Sequence, residues 1–330
     1  MKLVALALVF LVFTGCSKTV RIASLQPAEI DRAAGAKRIA VYTFRHDTVG
    51  LTEKIETKAA AARVDGKPWF TVISRGDLSK ILEELRLQES GLADEEQVVE
   101  AGKLLGATAL ITGSVTAADA EDSYYTEKRF ECLDKKCKEY NIFDVSCMER
   151  SAVVSAHIRL VDIAKGEVLF ADTLKRSRHW NRCFDSSTHI PTKGEALDLL
   201  ANEIADHFIQ RLTPHYTYHE VELLEEPDID YSAEEKKLLK NALTFIEHGR
   251  YDKAEQLLGE LLRSTGEQSY VAAYDLGVVK ETKGELEAAR SLYLLADRNC
   301  PEPNETIDAA IVRIQQSIRA KESALKQMNQ

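Results

Sequence analysis

The sequence predicts a mixed α/β domain followed by an all-α repeat domain, and three observations carry that prediction. Between Lys37 and Gly113, short β-rich runs alternate with segments of helical period. Two alternating runs then meet around Ala164-Lys165-Gly166. After Tyr231 no strand pattern remains, and one motif recurs at an offset of 35 residues.

Residues 16–36 show no sustained period and read as a tether. The α/β domain then spans 37–215. Its first strand is Arg38-Ile39-Ala40-Val41-Tyr42-Thr43-Phe44. Gly50-Leu51 opens a helix through Arg63, and Trp69-Phe70-Thr71-Val72-Ile73 is the second strand. Ser74 is placed to cap the next helix, whose Leu78, Ile81, Leu82 and Leu85 share one face. Asp94 with Gln97 forms a capping box for another helix, which Gly106 stops; Ala107 to Gly113 is a third, buried strand. The stretch 119–150 breaks the pattern, because fifteen of its 32 residues are charged. Alternation resumes at Ala152, with Val154, Ala156, Ile158 and Leu160 on one face, and returns over Val168 to Leu174. Thr192 and Glu195 form a second capping box. Leu197, Leu200, Ala201, Ile204 and Phe208 stripe the helix it opens, which Pro214 ends.

The acids between Glu220 and Asp230 mark residues 216–231 as a solvated linker, although His215, Tyr216, Tyr218 and His219 alternate as a strand would. Residues 232–330 read as consecutive helices. Gly249-Arg250-Tyr251-Asp252-Lys253-Ala254 corresponds to Gly284-Glu285-Leu286-Glu287-Ala288-Ala289. The period is close to the roughly 34 residues of tetratricopeptide repeats. Gly249, Tyr251 and Ala254 fit the latter half of a first repeat; Gly277, Gly284, Ala289, Ala296 and Pro301 fit a second. Small residues such as Gly277 and Ala289 let antiparallel helices approach closely, and Pro301 stops the second one. Ordinary helical hairpins are the alternative. Such repeats bind protein partners in a concave groove, and the last helix would cap them.

The N-terminus carries a secretory signal over residues 1–15. Met1-Lys2 is basic, Leu3 to Phe13 is apolar, and Gly15 precedes Cys16. A cysteine directly after the small residue resembles the bacterial lipobox, in which the thiol is acylated, palmitate included, and becomes residue one. Ser17, where an Asp would retain the protein at the inner membrane, points to the outer membrane. No other stretch is long and apolar enough to span a bilayer as a helix. A net charge of −10 without a clustered basic face argues against nucleic acid as a partner.

Cys132, Cys137, Cys147 and Cys183 lie close in sequence. In an oxidising periplasm they read as two disulfides, with three connectivities open, and Cys300 is left free. A metal site using His179 is the rival, but CxxC spacing is absent and no metal or cofactor is expected. There is no phosphate-cradling glycine loop, no Gly-x-Ser-x-Gly elbow and no His-Glu-x-x-His. No catalytic constellation emerges, so a non-enzymatic role is expected.

Four stretches resemble the curli secretion-channel (CsgG-like) family. They are Ile39 to Phe44; Phe70 to Arg75 running into Leu78 and Ile81 to Glu84; Leu104 to Val115, with Leu104-Leu105-Gly106-Ala107 and Ile111-Thr112-Gly113-Ser114; and Ala156 to Leu169. The resemblance covers about 37–213. It implies an anticodon-binding-like α/β sandwich of a mixed sheet with helices, shared by outer-membrane lipoproteins that activate peptidoglycan synthases. In the channel subunits two insertions become membrane-spanning hairpins and several copies close one barrel. The corresponding insertions here are 119–150, nearly half charged, and about 175–193, short and polar. A lipid-facing Lys or Arg at mid-bilayer costs about 2–4 kcal/mol, so these insertions are expected to stay outside the membrane. Their cysteines could instead staple them together, for example Cys147 to Cys183.

The sequence thus predicts a periplasm-facing outer-membrane lipoprotein, anchored by acylated Cys16 and acting as an assembly or interaction factor in envelope biogenesis or secretion. A subunit of a secretion channel and an activator of a peptidoglycan synthase are the competing readings, and a homo-oligomer is compatible with all three.

Overall fold

A computed structural model describes residues 18–78, 80 and 95–329. Cys16, the capping box at Asp94, and Ile81, Leu82 and Leu85 lie outside the described residues. The chain divides into two compact units, one of residues 18–26 with 216–323, the other of 27–215 with the tail from Ala324.

The second unit is built on a five-stranded mixed sheet. Its elements are α1 (Asp31–Ala34), β2 (Arg38–Val41), α2 (Leu51–Ala61), the short pair β3 (Arg63–Val64) and β4 (Lys67–Pro68), β5 (Thr71–Ile73), α3 (Glu95–Leu104), β6 (Ala109–Cys132), β7 (Tyr140–Asp162), β8 (Val168–Cys183) and α4 (Lys193–Leu212); β1 (Thr19–Gln26) precedes them in the chain. The strand order is β5-β2-β6-β7-β8, with β2 parallel to both neighbours and β6, β7 and β8 antiparallel.

Side-chain alternation explains why β2 reads as a continuous apolar run. Ile39 and Val41 join Ala109 and Ile111 in a core covered by Leu51, Ile55 and Ala59 of α2 and by Leu200, Ile204 and Phe208 of α4. Ala40 points the other way, into a second cluster with Ile73, Leu78, Ala101, Leu110 and Ile163. Helices therefore cover both faces of the parallel strands. Val154, Ala156, Ile158 and Leu160 all enter the first core, as their spacing predicts. Thr192 and Glu195 form the predicted capping box at α4. At the β7–β8 turn the Asp162 carboxylate accepts from the backbone N–H groups of Ala164 and Lys165, and Gly166 adopts φ +69°.

The first unit holds β1 and β9 (His215–Glu222), paired in a two-stranded sheet, and the helices α5 (Ala233–Glu247), α6 (Tyr251–Ser264), α7 (Tyr270–Thr282), α8 (Leu286–Asn299) and α9 (Glu305–Met328), whose last residues fall in the second unit. The structure differs here from the expected tether over 16–36 and linker over 216–231. Val20 and Ile22 of β1 and Val221 of β9 are buried in the helical core beside Leu239, Ala272 and Val279. Each strand is short and its partner lies about two hundred residues away, so neither shows a local signal.

Candidate functional site

The feature that sets this molecule apart is an arm made by the outer parts of β6, β7 and β8. The hydrophobic period predicts strands only to Gly113 and from Ala152. In the structure β6 runs unbroken to Cys132 and β7 starts at Tyr140, so the charged insertion is a β-ribbon. Apart from a small cluster around Cys147, this ribbon has no buried face, and its charges alternate with polar and aromatic residues instead of with a core.

Both disulfides belong to this arm. Cys147 faces Cys183 directly across β7 and β8, with Cα atoms 3.9 Å apart, and the pair is buried with Val145 against Tyr125. Cys132 and Cys137 close the tip at a Cα separation of 4.8 Å. Inside that loop the Asp134 carboxylate accepts from the backbone N–H groups of Glu139, Lys138 and Lys136 at 3.0, 2.6 and 3.2 Å. These bonds, that from Glu139 first, hold its carboxyl below the usual range. Lower down, Arg150 grips Asp122 through two bonds of 2.6 and 2.8 Å and donates to the carbonyl of Pro191. The Arg150 bonds likewise keep Asp122 below the ordinary carboxylate value.

Ligand atoms of Glu127, Cys147 and Cys183 come within 4.8 Å of one another. The disulfide occupies both sulfurs, so this set has no thiolate to offer a metal. His179 bonds Ser151 and Glu149 rather than approaching Cys183. Cys300 is free and lies in the helical unit, its thiol donating to the Glu302 carbonyl.

The tip exposes apolar side chains. Tyr124, Phe130, Tyr140 and Ile142 lie on one face of the ribbon, Tyr124 at 69% and Phe130 at 70% exposure. The same face carries Lys128 opposite Asp144.

In the helical unit, Gly249 and Gly284 end α5 and α7 with φ +69° and +76°, and α6 and α8 begin 35 residues apart. Ala254, Ala289 and Ala296 are fully buried, Tyr251 packs on the same core, and a Cβ at Gly277 would fall 2.7 Å from the Tyr293 ring. Pro301 follows the end of α8 at Asn299. Two further buried groups gave no sequence signal. Glu281 holds Arg313 and the Tyr293 hydroxyl, and Asp275 is completely buried. Asp275 Oδ1 accepts from the Leu224 N–H, its Oδ2 has no partner, and burial pushes its carboxyl well above the usual value.

Residues 22–185 match the family model described as curli production assembly/transport component CsgG. Among curated proteins no sequence match is found. Among solved structures, the C-terminal domain of LpoB from Salmonella enterica is 12% identical, with 43% of this chain and 82% of that one covered and a TM-score of 0.27. The PelC dodecamer from Paraburkholderia phytofirmans is 16% identical over 59% of this chain and 97% of that chain, with a TM-score of 0.25. Lipoprotein GNA1162 from Neisseria meningitidis is 16% identical over 52% and 97%, at 0.24.

Proposed function

Because residues 22–185 belong to the CsgG family of curli production assembly/transport components, we propose that this chain is a non-enzymatic assembly or interaction factor of the bacterial envelope, held at the periplasmic face of the outer membrane by acylated Cys16. The family membership carries the reading: its members are outer-membrane lipoproteins that assemble or secrete rather than catalyse. The helical unit supplies a partner-binding module, read as tetratricopeptide-like from Gly249, Tyr251, Ala254, Gly277, Gly284, Ala289, Ala296 and Pro301.

A second reading, a subunit of an oligomeric secretion channel, is favoured by one observation. The ribbon of β6 and β7 is formed by the insertion 119–150, which the resemblance aligns with a membrane-spanning hairpin of the family's channel subunits. Its charges argue against insertion. Lys128 and Asp144 sit on one face, and Glu121, Glu127, Arg129 and Glu131 on the other, so either face would bring charge into hydrocarbon.

The anchor is tested by Cys16→Ser. The variant should lose metabolic palmitate label and leave the membrane fraction. Label and membrane retention unchanged in the variant would remove the anchor from the proposal. Turnover of an envelope substrate by the purified chain alone would remove the non-enzymatic role.

A further inference from the structure

One residue separates Cys16 from Lys18, and Lys18 is already fixed in the helical unit. Its backbone N–H donates to Glu225 Oε1 at 2.9 Å, its carbonyl accepts from the Leu223 N–H at 2.9 Å, and its ammonium pairs with Glu247 at 3.1 Å. Val20, two residues on, is buried in the helical core. From Cys16 to Lys18 the chain spans at most about 7 Å in any conformation. The headgroup layer of a bilayer is about 5–8 Å deep on each side. With Cys16 acylated, as proposed above and as this contact requires, the surface around Lys18 comes to the level of the headgroups.

That surface holds a groove of about 630 Å³, within the roughly 300–1,000 Å³ usual for small-molecule sites. Buried Tyr231, Leu239 and Leu243 give it an apolar lining, and exposed Ile229 borders it. Its charges are sorted by element. Lys236 and Lys240, one turn apart on α5, line it from the helix. Glu226 and Asp230 line it from the segment between β9 and α5. None of these four side chains makes a hydrogen bond or ion pair among the described residues. Lys18 and Glu225 complete the charged lining, which is therefore neutral in sum.

We propose that this groove takes the headgroup of a zwitterionic phospholipid bearing a primary ammonium, of the phosphoethanolamine class, and so seats the helical unit on the membrane. Lys236 and Lys240 supply charged donors to the phosphate oxygens. Glu226 and Asp230 accept from the lipid ammonium. A quaternary choline has no N–H to give them, so it pairs less well. A purely anionic headgroup satisfies the lysines but meets two unpaired carboxylates, which repel it. A neutral lining exerts no general pull on an anionic surface, so selection comes from the sorting of the charges rather than from their sum. The contact goes beyond the anchor: acylation holds the chain at the bilayer, and the groove decides which face of the helical unit meets it.

The test replaces Ile229 by photoreactive p-benzoylphenylalanine in the full lipidated chain, reconstituted in vesicles of equimolar phosphatidylethanolamine, phosphatidylcholine and phosphatidylglycerol. Illumination joins that residue to a neighbouring lipid, and mass spectrometry reads which lipid it is. The ethanolamine lipid should exceed each of the others at least threefold among the adducts. Lys236→Gln with Lys240→Gln, at exposed positions, should return the adducts to the composition of the mixture while circular dichroism stays unchanged. Glu226→Gln with Asp230→Asn should shift them towards the anionic lipid. Adducts in proportion to the mixture, an excess of the anionic lipid with the groove intact, or variants that keep the original ratio would overturn the proposal. So would the absence of lipid adducts on a chain that carries the acyl mass at Cys16. If the Cys16 peptide carries no acyl mass, the anchor reading fails by itself. The chain is then held to the same vesicles by a histidine tag on a chelating lipid, and the same ratio decides the groove.

Discussion

An alanine at position 113 would place its Cβ 2.4 Å from the backbone carbonyl oxygen of His157 and 2.7 Å from the Phe44 ring. An alanine at 277 would place it 2.7 Å from the Tyr293 ring, whose hydroxyl is tied to Glu281. Overpacking of this kind costs about 1–3 kcal/mol. At 277 the gain in helix propensity returns up to about 1 kcal/mol and the ring can shift, whereas at 113 the similar gain in a strand meets backbone, which cannot turn aside. Gly113→Ala should therefore lose more stability than Gly277→Ala in urea denaturation; the reverse order would show that the sheet yields more easily than the helix pair. Asp275 permits a pH prediction. Its folded carboxyl titrates above the unfolded value of 3.8, so the folded state binds the proton more tightly. The penalty is absent below that value and grows as pH rises towards the folded pKa. Asp275→Asn keeps an oxygen for the Leu224 N–H and removes the charge. Its stability relative to wild type should rise with pH across that window, read as the difference in Tm between the two proteins. A pH-independent difference would mean that Asp275 does not titrate there.

The two disulfides act on elements of different importance. Cys147–Cys183 spans 36 residues and ties β8 to β7, whereas Cys132–Cys137 spans 5 at an exposed tip. Loop-closure entropy assigns about 4 kcal/mol to the first and about 2 kcal/mol to the second. Cys147→Ser with Cys183→Ser should lower the urea midpoint and speed amide exchange along β8. Cys132→Ser with Cys137→Ser should change exchange only near the tip; equal loss from both would show that the tip is coupled to the core. The same elements show what a sequence reveals. Val154, Ala156, Ile158 and Leu160 were legible because one face of β7 is buried and the other is not, and Thr192 with Glu195 because a capping box is local. The arm was illegible because, outside the small Cys147 cluster, both its faces meet solvent, which removes the period of two that marks a strand. The pairing of four cysteines was undetermined for a related reason: it depends on β7–β8 register, which the charged residues do not announce.

At the scale of the whole molecule, the question is where the arm lies when the chain is at a membrane. No helix among the described residues is long and apolar enough to cross one, and the arm itself is made of strands, so a span by the arm would have to be β. A ribbon turned with Phe130 and Ile142 to lipid would carry Lys128 and Asp144 with them, and the other orientation carries Arg129 and Glu131. With a cost of about 2–4 kcal/mol for each Lys or Arg at mid-bilayer, neither orientation is favourable. The arm should stay in water, with its tip reachable from the side on which the protein sits. Lys135 and Lys136 inside the tip loop make this measurable. Trypsin added outside vesicles bearing the outward-facing lipidated chain should cut there, and Cys132–Cys137 should hold the fragments together until reductant is added. A gel band intact without reductant and split with it is the expected result. A tip that resists trypsin until detergent opens the vesicles, with conductance steps in planar bilayers, would instead place the arm through the membrane and make the channel reading the better one.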